Sequence, residues 1–600
     1  MKKILLTNNS MLIDKKYDAI YTDSPYVVEN CNYAIYLDTL LDENLDETIT
    51  KIRIKGYEIN KHVINTFFPN YKNRNINILN IKAEFTNTFI NIVKLLKLID
   101  LYPNDEITIS ISESELYDYN SPSALNRFVN VYYWIADLVK VKNVKIICKN
   151  IKNDLSIKHQ PIDSWFLRLV DLDKKVLIFN LLKKINFIDK DKNKKIYKYR
   201  ESNVLREIEP YLYNLGFNLI DMPEIKFNFR NSKDNILHKK LEAILDESFE
   251  SSFLNDTFKK VLFEMYNKRI KYYSQKEIYS EKYISNLDKS IKIIVTNTIS
   301  GFDSHIFAKQ LQQNGFKIVN VMHGLSSSFS RKKDLEYIEC EAPDITLCFN
   351  NSEKKMYNEL VPKALLYPIS VVQEAKKKRI RFLKRFYVNK MLKINEDINV
   401  FYPSNIYPYN NVSIYGFRQS DKLNYKFEKK MISLLSTLNK RAIYKHYPMK
   451  SYVDPNPLIK FAQSFNNIKV IDGKFDFRYV SSLGDIFILG SIGSSSTITW
   501  MLGENKPIIF LYSNKFRFIN DKGKEILDKI LIVVDIDKEN WVDNLTNILN
   551  KPYKELVKIW KDKQIHRDLF DEEWLMGINL HSGKLGAKYI KDLYCTTLKN

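Results

Sequence analysis

Short apolar runs recur along the chain, and between them lie longer stretches in which apolar positions return every three or four residues. The first pattern predicts strands buried on both faces, the second amphipathic helices, and their alternation predicts an α/β protein built on parallel sheets. "KILLT", "YDAIYTD" and "NINILNI" (75–81) open the chain as strands. "EITISIS" (106–112), the helical "ALNRFVNVYYWIADLVK" (124–140) and "NVKIICK" (143–149) form a strand–helix–strand unit. Residues 150–290 read as a charged, mostly helical insertion, with Gly216 closing a helix before an extended segment. Strands return at "SIKIIVTNT" (290–298), in the helix–glycine–strand run "SHIFAKQLQQNGFKIVNVMHG" (304–324), and at "PDITLC". Six more apolar runs follow: "INVFYPS" (398–404), "RAIYKHYP" (441–448), "IKVIDG" (468–473), "GDIFILG" (484–490), "KPIIFL" (506–511) and "KILIVVDID" (529–537).

A length of 600 residues exceeds what one core supports, so two or more domains are expected. The pattern divides the chain into a doubly wound domain over 1–375 carrying the insertion, a basic segment over 376–395, and a second doubly wound domain over 396–600. Apolar residues at 45% support packed cores and exclude wholesale disorder. The excess of Lys+Arg (93) over Asp+Glu (71), a net +22, favours phosphate-bearing partners: nucleotides, anionic lipid or nucleic acid. Abundant Asn and Ile beside the Lys discount part of that signal, and no RNA- or DNA-reading motif accompanies it, so nucleic acid is not expected. The five cysteines have neither disulfide-framework nor zinc spacing, which fits a reducing cytoplasm. No run is long and apolar enough to span a bilayer.

Candidate chemistry gathers where strands end. Gly490 and Gly493, then Ser494, Ser495, Ser496 and Thr497, lie between an apolar strand and a helix. Glycines let the backbone approach a ligand, and hydroxyls at the positive end of a helix dipole suit a phosphate; an ordinary serine-capped turn is the plain alternative. Neither a Walker loop nor GxGxxG is present. Lys445 and His446 close the strand "RAIYK", where either can donate to a phosphate oxygen, and His323 ends the strand "IVNVMH". The segment "KKKRIRFLKRFYVNK" (376–390) interleaves cations with aromatics, which suits an anionic membrane surface or packing between domains. "VVDID" imitates an Asp-x-Asp metal site, but near the C-terminus it reads as loop acids.

The His-Gly at 323–324, "APDITLCFNNSEKKMYNEL", the His-x-Pro at 446–448 and "GSSSTITWMLGENKPIIF" (493–510) together resemble the GT-B glycosyltransferases of bacterial surface-polysaccharide assembly. The groups in view are the Kdo, sialyl and polysialyl transferases and the polyol-phosphate transferases of teichoic acid. The resemblance covers about residues 290–515. It implies two Rossmann-like domains facing a cleft, a nucleotide-sugar donor, and phosphate binding by Lys445, His446, Gly493, Ser494, Ser495, Ser496 and Thr497. It further implies inverting transfer to a glycan or lipid-linked glycan, with no metal and no other cofactor, beside the inner membrane face. An acceptor base would come from Asp23, Glu113 or His323. Two departures stand out: His-Tyr-Pro replaces adjacent His-Pro, and Thr499-Trp500 occupies the place of a donor-gripping acid, with Glu504 the nearest. The donor is therefore expected to be CMP-linked, for instance a nonulosonic acid. The alternatives are a polyol-phosphate transferase and a non-catalytic basic scaffold.

Overall fold

The computed structural model describes residues 1–14, 16–41, 45–71, 85–112, 131–140, 142–149, 178–179, 181–183, 194–224, 227, 235–297, 299, 301–322, 338–361, 363–369, 378–394, 398–404, 421–446, 454–471, 475, 477–490, 497–514, 519–570 and 582–597. Three sheets form among them, and every neighbouring pair of strands is parallel. The first contains β1 (Lys3–Leu6), β2 (Ala19–Thr22), β3 (Ala34–Tyr36), β4 (Glu106–Ser112) and β5 (Val144–Lys149), in the order β3-β2-β1-β4-β5. The second contains β6 (Lys194–Lys198), β7 (Phe217–Asp221), β8 (Ile293–Asn297), β9 (Lys317–Val321), β10 (Ile345–Cys348) and β11 (Leu365–Pro368), in the order β11-β10-β9-β8-β6-β7. The third contains β12 (Asn399–Pro403), β13 (Arg441–Lys445), β14 (Ile468–Ile471), β15 (Ile486–Leu489), β16 (Ile508–Tyr512) and β17 (Ile532–Asp535), in the order β14-β13-β12-β15-β16-β17. In each, the first strand in sequence lies inside the sheet and the chain winds outward both ways, which is the Rossmann-like arrangement.

The α/β class with parallel, doubly wound sheets is as the apolar pattern predicts. The number of sheets differs, because two form before residue 375. The stretch 150–290, read as a helical insertion, supplies β6 and β7. "KKIYK" hides β6 behind its lysines, yet Ile196 is fully buried and Lys198 is neutralised by Glu201 at 3.2 Å and Asp221 at 3.0 Å. Gly216, at φ +88°, ends the helix Asn203–Asn214 and starts β7, the turn its lack of a side chain permits. The expected strand at 75–81 lies outside the described residues.

Packing links the sheets in sequence. The core beneath the first sheet takes in the helices Leu45–Phe67, Thr86–Leu101 and Phe253–Ser285 and reaches Phe302 and Ile306 beside the second. Another core joins Met322, Cys348 and Tyr357 of the second sheet's region to Phe401, Ile443 and Phe487 of the third. The last helix, Ser582–Thr597, returns to the second sheet. There Gly583 lies so close to the Glu207 carbonyl that a Cβ would clash with its oxygen, and Ala587 and Ile590 complete the core.

The basic segment supplies the helix Lys378–Leu392. Val388 and Tyr387 of this helix pack into the core shared by the second and third sheets, while Phe386 is exposed. Arg385 grips Asp485 through two bonds, at 2.6 and 2.8 Å, and Lys506 adds a third at 3.1 Å. Burial pushes the Asp485 carboxyl up, but Arg385, Lys506 and the Asn399 N–H outweigh it and hold it below its ordinary value. A depressed carboxyl stabilises the fold above its unfolded pKa and loses that contribution as pH falls through the folded one. Asp485→Asn is therefore expected to cost about 3 kcal/mol at neutral pH and progressively less in acid below about pH 4, measured as melting temperature against pH.

Candidate functional site

A sheet ordered like the third opens its ligand crevice at the carboxyl ends of its strands, beside the strand where the winding reverses. That strand is β12, flanked by β13 and β15. Pairing sets Pro403 opposite Lys445, and the Ser404 N–H donates to the Lys445 carbonyl at 2.8 Å. On the other side Phe401 pairs with Phe487, and the same register carried forward brings Gly490 level with Ser404. His446 and Gly490 therefore stand one residue beyond the sheet on either side of β12. Two strand spacings put their backbones about 10 Å apart.

The layer under this edge is polar and tightly held. Tyr402 and Tyr444 are cross-strand partners, both buried, and the Tyr402 hydroxyl donates to Glu428 at 2.6 Å. Glu428 lies on the helix Asp421–Ser436, wholly buried beneath the sheet. Burial, and then the Glu428 carboxylate, push the Tyr444 phenol well above its ordinary value, so it stays protonated. Neither Glu428 nor the tyrosine pair was expected as part of the site. Their one sequence signal is a tyrosine at the same place in two successive strands.

Of the donor-side candidates, Lys445 ends β13 and is buried, and His446 follows half-buried, its N–H donating to Ile471 of the neighbouring strand at 3.3 Å. Alternation along the strand sends these two side chains to opposite faces. Thr497 is the first residue of the helix Thr497–Glu504, whose Ile498, Met501 and Leu502 anchor it in the core. Gly493, Ser494, Ser495 and Ser496 lie outside the described residues. Glu504 is buried and accepts from the Ser481 hydroxyl at 2.7 Å, which commits it to the body of the third sheet. Asp537 of "VVDID" is likewise committed, accepting from Ser513 at 2.7 Å and from the Asn514 N–H at 2.6 Å.

Of the acceptor-side candidates, Asp23 follows β2 of the first sheet. Glu113 and His323 lie outside the described residues, although Met322, the neighbour of His323, belongs to the core shared with the third sheet. Asp23 is buried with both oxygens engaged, one by Lys94 at 3.0 Å and one by the Tyr132 hydroxyl at 2.8 Å. Lys94 is fully buried and also meets Asp38 at 2.9 Å. Burial lowers its ammonium pKa, but the two carboxylates outweigh that and hold it above its ordinary value. With both oxygens so engaged, Asp23 serves in this structure as the partner of a buried cation.

Among the described residues no cluster of His, Cys, Asp and Glu has metal-site geometry, and no helix is long and apolar enough to cross a membrane. No family model matches the chain, and no curated protein does either. Several solved structures are similar to it. Anabaena HepE in complex with UDP is 11% identical with a TM-score of 0.38, covering 66% of this chain and 100% of that one. Arabidopsis thaliana UGT89C1 complexed with UDP-L-rhamnose is 11% identical with a TM-score of 0.37, covering 70% and 94%. The UDP-forming α,α-trehalose-phosphate synthase of Burkholderia vietnamiensis is 10% identical with a TM-score of 0.36, covering 68% and 98%.

Proposed function

We propose that the protein is a nucleotide-sugar-dependent glycosyltransferase, with its donor phosphates held at the carboxyl edge of the third sheet. One observation carries the reading: His446 and the root of the serine loop flank β12, the strand where the winding reverses. A crevice about 10 Å across matches the reach of a diphosphate or a phosphate with its sugar. In this reading the serine-loop amides and hydroxyls, the start of the helix Thr497–Glu504 and His446 hold the phosphate, and Lys445, leaving the other face of the strand end, adds its positive charge to the same edge. As the glycosidic bond breaks, charge builds on the departing phosphate oxygen, and prearranged donors there lower the barrier. The acceptor, a glycan or lipid-linked glycan, approaches from the N-terminal half, which makes 1–375 the acceptor side, 376–395 the connector and 396–600 the donor side.

The donor we favour is CMP-linked and transfer inverting without metal. Commitment of Glu504 to Ser481 supports this, because it removes the nearest acid of that helix from the donor's ribose or sugar. The test is a thermal-shift screen against CMP-, UDP-, GDP- and CDP-linked compounds. A ligand at a hundred times its Kd stabilises by about 2.7 kcal/mol, so one class is expected to raise Tm clearly. A rise with the UDP or GDP class retains the transferase and replaces the donor. CDP-glycerol or CDP-ribitol as the best ligand points to polyol-phosphate transfer. No shift with any of the four refutes the reading.

A further inference from the structure

The three sheets are joined by two kinds of contact. Apolar cores bridge first to second and second to third, but among the described residues no buried apolar cluster contains side chains of both the first and the third sheet. Their contact is polar. The loop after β1 reaches across the chain to Asp454, one carboxylate oxygen accepting from the Ser10 N–H at 2.9 Å and the other from the Ser10 hydroxyl at 2.5 Å. Beside it Glu29, at the end of the helix Pro25–Asn30, meets Lys429 of the helix Asp421–Ser436 at 2.6 Å, and Lys422 stands 5.8 Å from the centre of the Tyr36 ring. A small polar contact of this kind opens and closes readily, whereas shared apolar cores do not.

Asp454 also has a telling place in the chain. It lies three residues before the helix Pro457–Gln463, whose Leu458 and Ala462 pack with Ile468 of β14, the strand whose Ile471 carbonyl accepts from the His446 N–H, so whatever holds Asp454 bears on the strand edge where His446 stands. We propose that Ser10 and Asp454 are positioning residues, a reversible latch by which the first sheet steadies the phosphate-binding edge of the third; this rests on the donor-site reading above. Two bonds from one residue to both carboxylate oxygens fix orientation as well as distance. Because the contact is reversible, latch and ligand are thermodynamically linked: nucleotide favours the docked first sheet, and docking favours nucleotide by the same factor.

The experiment uses the full chain and whichever of UDP or CMP, as the free nucleotide, the wild-type protein binds more tightly by calorimetry. Ser10→Ala is expected to weaken that binding about 5- to 20-fold with little change in Tm, and Ser10→Thr, which keeps the hydroxyl, to restore most of it. In the wild type, saturating nucleotide is expected to slow hydrogen exchange in the peptide containing residues 7–12, far along the chain from the donor site. In Ser10→Ala that protection should fall away. Equal affinity in wild type and Ser10→Ala, or exchange at 7–12 indifferent to nucleotide, overturns the latch. Failure of the wild type to bind either nucleotide or any compound of the thermal-shift screen strikes the donor-site reading instead, so the two failures are told apart.

Discussion

Lys94→Met is expected to cost about 3–5 kcal/mol at neutral pH, one of the largest single-residue losses in the first sheet's domain. Methionine fills nearly the same volume, so the loss is electrostatic. Asp23 and Asp38 both lean on one ammonium in a site where Lys94 is fully buried. Without the cation, two carboxylates remain close together, and each then resists ionisation through burial and through the other's charge. Taking up a proton relieves that repulsion in the folded variant, whereas the unfolded chain has no such pair to relieve. The folded state then binds more protons than the unfolded chain, so the variant regains stability as pH falls toward about 4, the reverse of the usual acid sensitivity. The check is the first unfolding transition of variant and wild type from pH 7.5 to 4.5. A deficit that does not narrow in acid denies that Lys94 serves chiefly to neutralise this pair. Asp23→Asn is a useful companion: it keeps an acceptor for Lys94 and is expected to lose much less than Lys94→Met.

The same cluster marks the limit of what the residues disclose in linear order. An acid after a strand is visible in "YTD", but its partner sits 71 positions on, inside the apolar helix Thr86–Leu101, where Lys94, like Lys97 a turn on, looks like a solvent-facing residue. The third sheet was legible throughout because its strands are covered on both faces and so run almost uninterrupted in apolar residues, as in "IIFLY". The second was legible only in part. Its β6 is lysine-rich and relies on Glu201 and Asp221 for neutrality, and β11, "LLYP", is short and closed by proline. The place of His446 at a strand end follows from local pattern. Its neighbourhood does not: β15 lies beside β12 only because of the crossover order, and Ser10 and Asp454 meet across 444 positions.

The double variant His446→Ala with Ser495→Ala is expected to lower affinity for the cognate nucleotide by about a hundredfold or more, leaving Tm without ligand nearly unchanged. One charge-assisted bond to a phosphate is worth about 1.5–3 kcal/mol, so His446→Ala alone should cost about tenfold to a hundredfold. The backbone supports this selectivity, because His446 lies beyond the end of β13 and its bond to β14 is made by its N–H, which alanine retains. The second step of the argument is additivity. If His446 and the hydroxyl of Ser495 grip the same phosphate, the two losses combine to a value that differs from the sum of the singles, because each group orients the ligand for the other. If they act on separate ligands, or only one of them binds anything, the cycle is additive within about 0.5 kcal/mol. Four calorimetric titrations, with wild type, both singles and the double, decide it. Convergence of two strand ends on one anion predicts coupling, and the strand order of the third sheet is the physical reason to expect it.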